Sequence, residues 1–303
     1  MNNKISVLST AIVTSLILLG CNNDSNNDTE TTNTNTGDTL ILTSNGMISS
    51  IDRMMPNKIV SNLKITGLQT DDELVGIDYR PKDGKLYAVG LLGNIYTLNP
   101  ATGSAIFMKK LMADPTDTTD GNAAFTKILG DANLITVNFN PVADRLRVIT
   151  NTGQNLRINV DTGATITDGA INLSESNPTI VAGAYTNAFA GTGSTKLYSI
   201  DQNSDRIYIQ NANVGTLGVS AALGTDININ GGGGFDIDPV TNVGFAALKL
   251  NTGAYKFFQL NLANVGTNNT AIFASGDLNS NFNSMGIRGI ALKRASDATA
   301  QAY

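Results

Sequence analysis

Apolar and polar residues alternate in a pattern that recurs along the chain. Ile77/Tyr79, Val137/Phe139, Phe235/Ile237 and Ile290/Leu292 occupy one parity, and Asp78/Arg80, Asn138/Asn140, Asp236/Asp238 and Ala291/Lys293 the other. A period of two predicts strands with two unlike faces. Pro81, Pro141 and Pro239 follow three of these strands and end them, because proline fixes φ and has no N–H to donate. Asp83-Gly84, Ala143-Asp144 and Thr241-Asn242 then predict turns, after which a second apolar strand returns at Leu86, Leu146 and Val243. A degenerate copy runs through Ala184-Tyr185-Thr186-Asn187 to Lys196-Leu197-Tyr198. Third strands are expected at Asn94-Ile95-Tyr96-Thr97-Leu98, Asn155-Leu156-Arg157-Ile158-Asn159, Arg206-Ile207-Tyr208-Ile209 and Tyr255-Lys256-Phe257-Phe258-Gln259-Leu260. Two of them enter near-identical turns, Asn99-Pro100-Ala101-Thr102-Gly103 and Asn159-Val160-Asp161-Thr162-Gly163. A weaker fourth strand follows, as in Ala105-Ile106-Phe107-Met108.

The repeating unit is therefore a four-stranded antiparallel meander, spaced as propeller blades of roughly 40–50 residues are. The fold class expected is all-β, a single β-propeller; the bland alternative is a β-sandwich with coincidental hairpins. Thr39-Leu40-Ile41-Leu42-Thr43 and Met47-Ile48-Ser49-Ser50 read as second and third strands that lack a first, and residues 289–293 as a first strand that lacks the rest. Joining them gives a blade built from both termini and removes exposed sheet edges. The count is then five blades, or six if the insertion at residues 111–127 hides strands.

Residues 1–20 carry one cation, Lys4, and an apolar run too short to span a bilayer, which predicts a signal peptide. It ends Leu18-Leu19-Gly20-Cys21, which resembles a bacterial lipobox, so Cys21 is the expected lipidation site, carrying the acyl chains (palmitate) of a lipoprotein. Asn22 after it resembles the sorting signal for the outer membrane of a Gram-negative bacterium. Residues 21–38, rich in Asn and Thr, read as a disordered tether, residues 39–294 as the propeller body and residues 295–303 as a tail. The net charge of −5 leaves no nucleic-acid footprint, and a monomer is expected.

The chain has no histidine and no tryptophan, and Cys21 is its only cysteine. Histidine relays, zinc triads and intramolecular disulfides are thereby excluded. Carboxylates, Lys, Arg and Tyr remain. Asp78, Asn138 and Asp236 align across three first strands, with Arg80, Asn140 and Asp238 two residues further on. They are the candidate binding residues, either as a polar axial site that holds a cation such as Ca2+, or as ties to the backbone of the neighbouring blade. No catalytic residue is assigned, and no cofactor is expected beyond that Ca2+. Asp117 to Asn122 lacks the full calcium-loop pattern. The connectors before the first strands, such as Asp71-Asp72-Glu73, Gly130-Asp131 and Asp226-Ile227-Asn228, are polar and share one face, where binding is expected. Gly231-Gly232-Gly233-Gly234 allows a close backbone approach and lacks the ending of a phosphate loop.

The motifs Gly76-Ile77-Asp78-Tyr79-Arg80-Pro81, Asp144-Arg145-Leu146-Arg147-Val148 and Gly153-Gln154-Asn155-Leu156-Arg157 resemble a bacterial secreted family, domain of unknown function (DUF) 4394. The resemblance implies a propeller-like fold and an envelope or extracellular location, and no activity. Arg145, Arg147 and Arg157 either clamp an anionic ligand or pair with Asp144, Asp161 and Asp168. The function expected is a lipid-anchored binding or scaffolding propeller for a glycan, peptide or partner protein, more readily than an enzyme. The alternative is a metal-assisted envelope hydrolase or lactonase built on the axial Asp/Asn set. A structural protein without a ligand is the third reading.

Overall fold

The computed structural model describes residues 36–117, 123–174 and 176–293. The signal peptide, Cys21, most of the tether, the tail and the Thr118–Asn122 part of the insertion lie outside the described residues.

Strands β1 (Thr39–Thr43), β2 (Met47–Asp52) and β3 (Met55–Lys64) open the chain. Blade two is β4 (Leu74–Tyr79), β5 (Leu86–Gly90), β6 (Asn94–Leu98) and β7 (Ala105–Lys110). The short β8 (Met112–Ala113) follows, then blade three with β9 (Ile135–Asn140), β10 (Arg145–Thr150), β11 (Asn155–Ile158) and β12 (Ala164–Thr167). Blade four is β13 (Ile180–Tyr185), β14 (Leu197–Asp201), β15 (Arg206–Gln210) and β16 (Leu217–Ala222). Blade five is β17 (Ile229–Ile237), β18 (Val243–Leu250), β19 (Tyr255–Asn261) and β20 (Ile272–Asp277). One helical turn, α1 (Asn281–Met285), leads into the last strand, β21 (Ile287–Leu292).

β21 pairs antiparallel with β1, Leu40 opposite Ala291 and Leu42 opposite Gly289, so blade one runs β21-β1-β2-β3. The fold is a five-bladed propeller, closed by strands from both ends of the described chain. The insertion makes no sixth blade: β8 instead lies parallel to the outer strand of blade three. The inner strands contact one another in the sequence β4, β9, β13, β17, β21 and back to β4, so the ring is complete within residues 36–293.

Core residues fall into one cluster for each junction between blades. Phe139, Leu146, Val148 and Tyr87 fill the junction of blades two and three, where the Tyr87 and Phe139 rings meet edge to face with centroids 5.4 Å apart. Val181, Phe235, Ile237 and Leu260 fill that of blades four and five. The inner strands of each sheet thus bury both faces against their neighbours, whereas outer strands such as β7 and β20 keep one face or more in solvent.

The repeated Asn-to-Gly turns have a specific task. Asn99 Oδ1 accepts the Ala101 N–H and Asn159 Oδ1 the Asp161 N–H. The turns close through Gly103 N–H to Asn99 O and Gly163 N–H to Asn159 O, each 2.8 Å. Gly163 has φ +82°, and a Cβ there would stand 2.3 Å from Lys110 O of the preceding blade; Gly103 has φ +74° and would stand 2.4 Å from Lys64 O. Glycine is required on both counts. The turn lets the end of one blade lie against the outer strand of the next, as Met112 N–H bonded to Gly163 O shows. Gly231 to Gly234 lie inside β17, whose register shifts between Ile229 and Gly233. A Cβ on Gly234 would come within 2.4 Å of Ile290 N, so the glycines let this inner strand close up on β21.

Candidate functional site

The structure brings Asp78, Asn138 and Asp236 together near the axis, and each side chain serves the backbone of the next blade. Asp78 Oδ2 accepts the Phe139 N–H at 2.6 Å, Asn138 Oδ1 the Tyr185 N–H at 2.8 Å, and Asp236 Oδ2 the Leu292 N–H at 2.8 Å. Asn138 Nδ2 also reaches Asp236 Oδ1 at 3.5 Å, and Asp78 and Asp236 line one small void of about 10 Å3. The corresponding positions of blades four and one are Ala184 and Ala291, whose methyl groups cannot make this tie. Burial pushes the Asp236 carboxyl up to about 6, against the opposing pull of the Leu292 and Ile237 N–H groups. Among the described residues, no group of three or more Asp, Glu, His or Cys side chains is placed to share a cation.

The second tier, Arg80, Asn140 and Asp238, sits at the turns. Arg80 is 3 % exposed, and its guanidinium grips both oxygens of Asp144, at 2.7 and 2.6 Å, and both of Asp161, at 2.8 Å. These hydrogen bonds hold the Asp144 and Asp161 carboxyls below the usual range. Asn140 Oδ1 caps its own turn by accepting the Val142 and Ala143 N–H groups. Asp238 accepts the Val240 and Thr241 N–H groups and an ion pair from Arg53 at 2.8 Å. Arg53 also grips Asp38 at 2.7 Å and lies 5.0 Å over the Phe245 ring, joining blade one to blade five.

The arginines of blade three divide differently from the set expected. Arg147 and Arg157 both pair with Asp168, at 2.6 and 3.0 Å, whereas Asp144 and Asp161 belong to Arg80. Arg145 donates to the Ala143 and Asp144 carbonyls.

Antiparallel meanders place the turns that join first to second and third to fourth strands at one end, and the connectors between blades at the other. A cleft opens at the first of these ends, opposite the connectors that the sequence favours. It holds about 800 Å3 between blades four and five. Tyr198, Ile209, Leu260 and Phe273 give it an apolar lining, and Thr186, Asn187, Asn242 and Asn261 a neutral polar rim. Among the described residues, Lys196 is the only charged one that lines it. Burial pushes the Tyr198 hydroxyl up, and Phe273 is 57 % exposed. Asn187 and Asn242 hold each other across the blade junction, Asn242 Nδ2 donating to Asn187 Oδ1 at 2.9 Å. The sequence signal for this site was the irregularity of the fourth copy: residues 186–196 make a first turn much longer than residues 80–85 or 238–242.

Ring, ties and cleft together define a five-bladed β-propeller with a ligand-sized groove between two blades. A family model described as "Domain of unknown function (DUF4394)" matches residues 47–287, and the chain belongs to this family. Comparison with curated proteins found no match. Among solved structures, a protein of unknown function from Bacteroides caccae is similar at 14 % identity and a TM-score of 0.37, covering 80 % of this chain and 73 % of its own. BamB from Moraxella catarrhalis is similar at 14 % identity and a TM-score of 0.32, with 79 % of this chain and 58 % of that one covered. YCF48 bound to D1 peptide is similar at 10 % identity and a TM-score of 0.35, with 80 % and 63 % covered.

Proposed function

We propose that this propeller is a binding or scaffolding module of the cell envelope, anchored through Cys21, and that its ligand sits in the cleft between blades four and five. The cleft carries the reading. Its volume of about 800 Å3 is in the range of small-ligand sites, and it combines an apolar lining with convergent amide and hydroxyl groups. With Lys196 as its one charge, it suits a ligand with an apolar body and a neutral or anionic head, such as a glycan or a peptide terminus. The axial alternative is less favoured, because Asp78, Asn138 and Asp236 already accept backbone N–H groups around a void of about 10 Å3.

The test is a glycan array and a peptide library probed with the propeller body. Hits that weaken at least tenfold in both Phe273→Ser and Lys196→Gln, with melting temperature unchanged, support the cleft. Hits that bind both variants as well as the parent place the site elsewhere. Absence of hits on both libraries removes both ligand classes.

A further inference from the structure

The large apolar side chains exposed at turn tips are unequally shared between the two ends of the propeller. Val142, Phe189 and Val240 stand on the first turns of blades three, four and five, and Met54 and Val214 on third-to-fourth turns of blades one and four. All five are between 44 % and 80 % exposed. The opposite end has Leu92 and Leu129. Single exposed apolar residues are ordinary. Here, however, three consecutive blades carry one at the same turn, around the axial mouth that Ala188 and Pro239 line.

Charge is arranged to match. At the turn end, Asp83, Asp144 and Asp161 are gathered on Arg80, and Asp38 and Asp238 on Arg53. Lys85 and Lys196 are exposed there and form no ion pair among the described residues. Lys82 touches Asp144 at 3.2 Å and remains largely in solvent. The connector end holds Asp71, Asp72, Asp131 and Asp226 beside Lys64, Lys110 and Lys127, with Glu73 paired to Arg288 at 2.8 Å.

The path of the chain adds a third, independent observation. Thr39 pairs with Leu292 at the turn end of blade one, and Lys293 N–H bonds Asp38 O at 2.8 Å. Thr36, the first described residue, therefore lies at the end that bears the apolar tips. Cys21 lies 15 positions before Thr36 in the sequence.

We infer that the turn face is a bilayer-docking surface, with Met54, Val142, Phe189, Val214 and Val240 entering the interface of an anionic membrane and Lys82, Lys85 and Lys196 meeting its headgroups. Apolar area buried at the interface and cationic attraction to anionic lipid act together in such contacts. A lipid anchor on Cys21 would raise the local concentration of bilayer, so a contact weak in isolation becomes populated. The connector face then points away from the membrane. The cleft opens on the docked side, and a ligand that reaches it is one presented at the bilayer surface. The docking stands whether or not the cleft takes a ligand.

The absence of tryptophan makes the test direct, since one introduced indole is the only one. Residues 36–303 carrying Val240→Trp are mixed with vesicles of phosphatidylethanolamine and phosphatidylglycerol. The expected result is a blue shift with quenching by brominated lipid, weakened about fivefold by each of Lys85→Glu and Lys196→Glu and by added salt. Leu92→Trp, on the opposite face, is expected to show neither shift nor quenching. No shift at Val240→Trp, or equal quenching at both positions, would overturn the inference. Neither indole nor lysine 85 lines the cleft, so loss of cleft ligands and loss of vesicle binding are read separately.

Discussion

Replacing Asp236 with Asn tests how the ring is tied. Asp236 is 5 % exposed and sits where blade five meets blade one. Its folded value of about 6 lies above the ordinary 3.8, so folding favours the neutral form. Stability from such a group is fully present below the unfolded value and is lost as pH rises through the folded one. The complete difference is worth about 3 kcal/mol at about 1.4 kcal/mol per unit. Between about pH 7.5 and about pH 5 the linkage relation gives a gain on the order of 1 kcal/mol on acidification. The chain has no histidine, and Asp144, Asp161 and Asp238 are held low and titrate below this window. Urea unfolding of wild type and Asp236→Asn across this window is the assay. The amide cannot accept from both Leu292 and Ile237 N–H, so the variant is weaker at every pH; the slope carries the test. Wild type is expected to gain stability toward pH 5, and the variant to stay flat. Equal slopes in the two proteins would refute the buried, neutral-favouring site.

Further outcomes follow from the other ties. Arg80→Ala removes a clamp on two carboxylates of the next blade. Because Asp144 and Asp161 are partly solvated, the loss should be about 2–3 kcal/mol in urea unfolding, below that of a fully buried pair. A loss under about 0.5 kcal/mol would class it with surface pairs. Gly163→Ala meets both a left-handed backbone and Lys110 O, so it should lower the melting temperature and cost more than about 1 kcal/mol, whereas Gly193→Ala, with open space around it, should be nearly neutral.

The comparison of sequence with structure divides by range. Strand positions, the strand-ending prolines, the Asn-to-Gly turns and the blade completed by both ends were all legible, because a period of two and turn chemistry are set by residues a few positions apart. The alignment of Asp78, Asn138 and Asp236 was legible too, and the structure resolves their use: each side chain holds the backbone of the next blade. Tertiary structure alone decided the partners. Arg80 crosses to Asp144 and Asp161, 64 and 81 positions away, although Asp144 stands beside Arg145 in the chain. Likewise the cleft joins residues 186–196 to residues 241–243 and 260–263, which meet only because blade four packs on blade five. Hydrogen-bond ladders and turns are local and leave a periodic trace in sequence; contacts between blades depend on the twist and closure of the whole ring, and leave none.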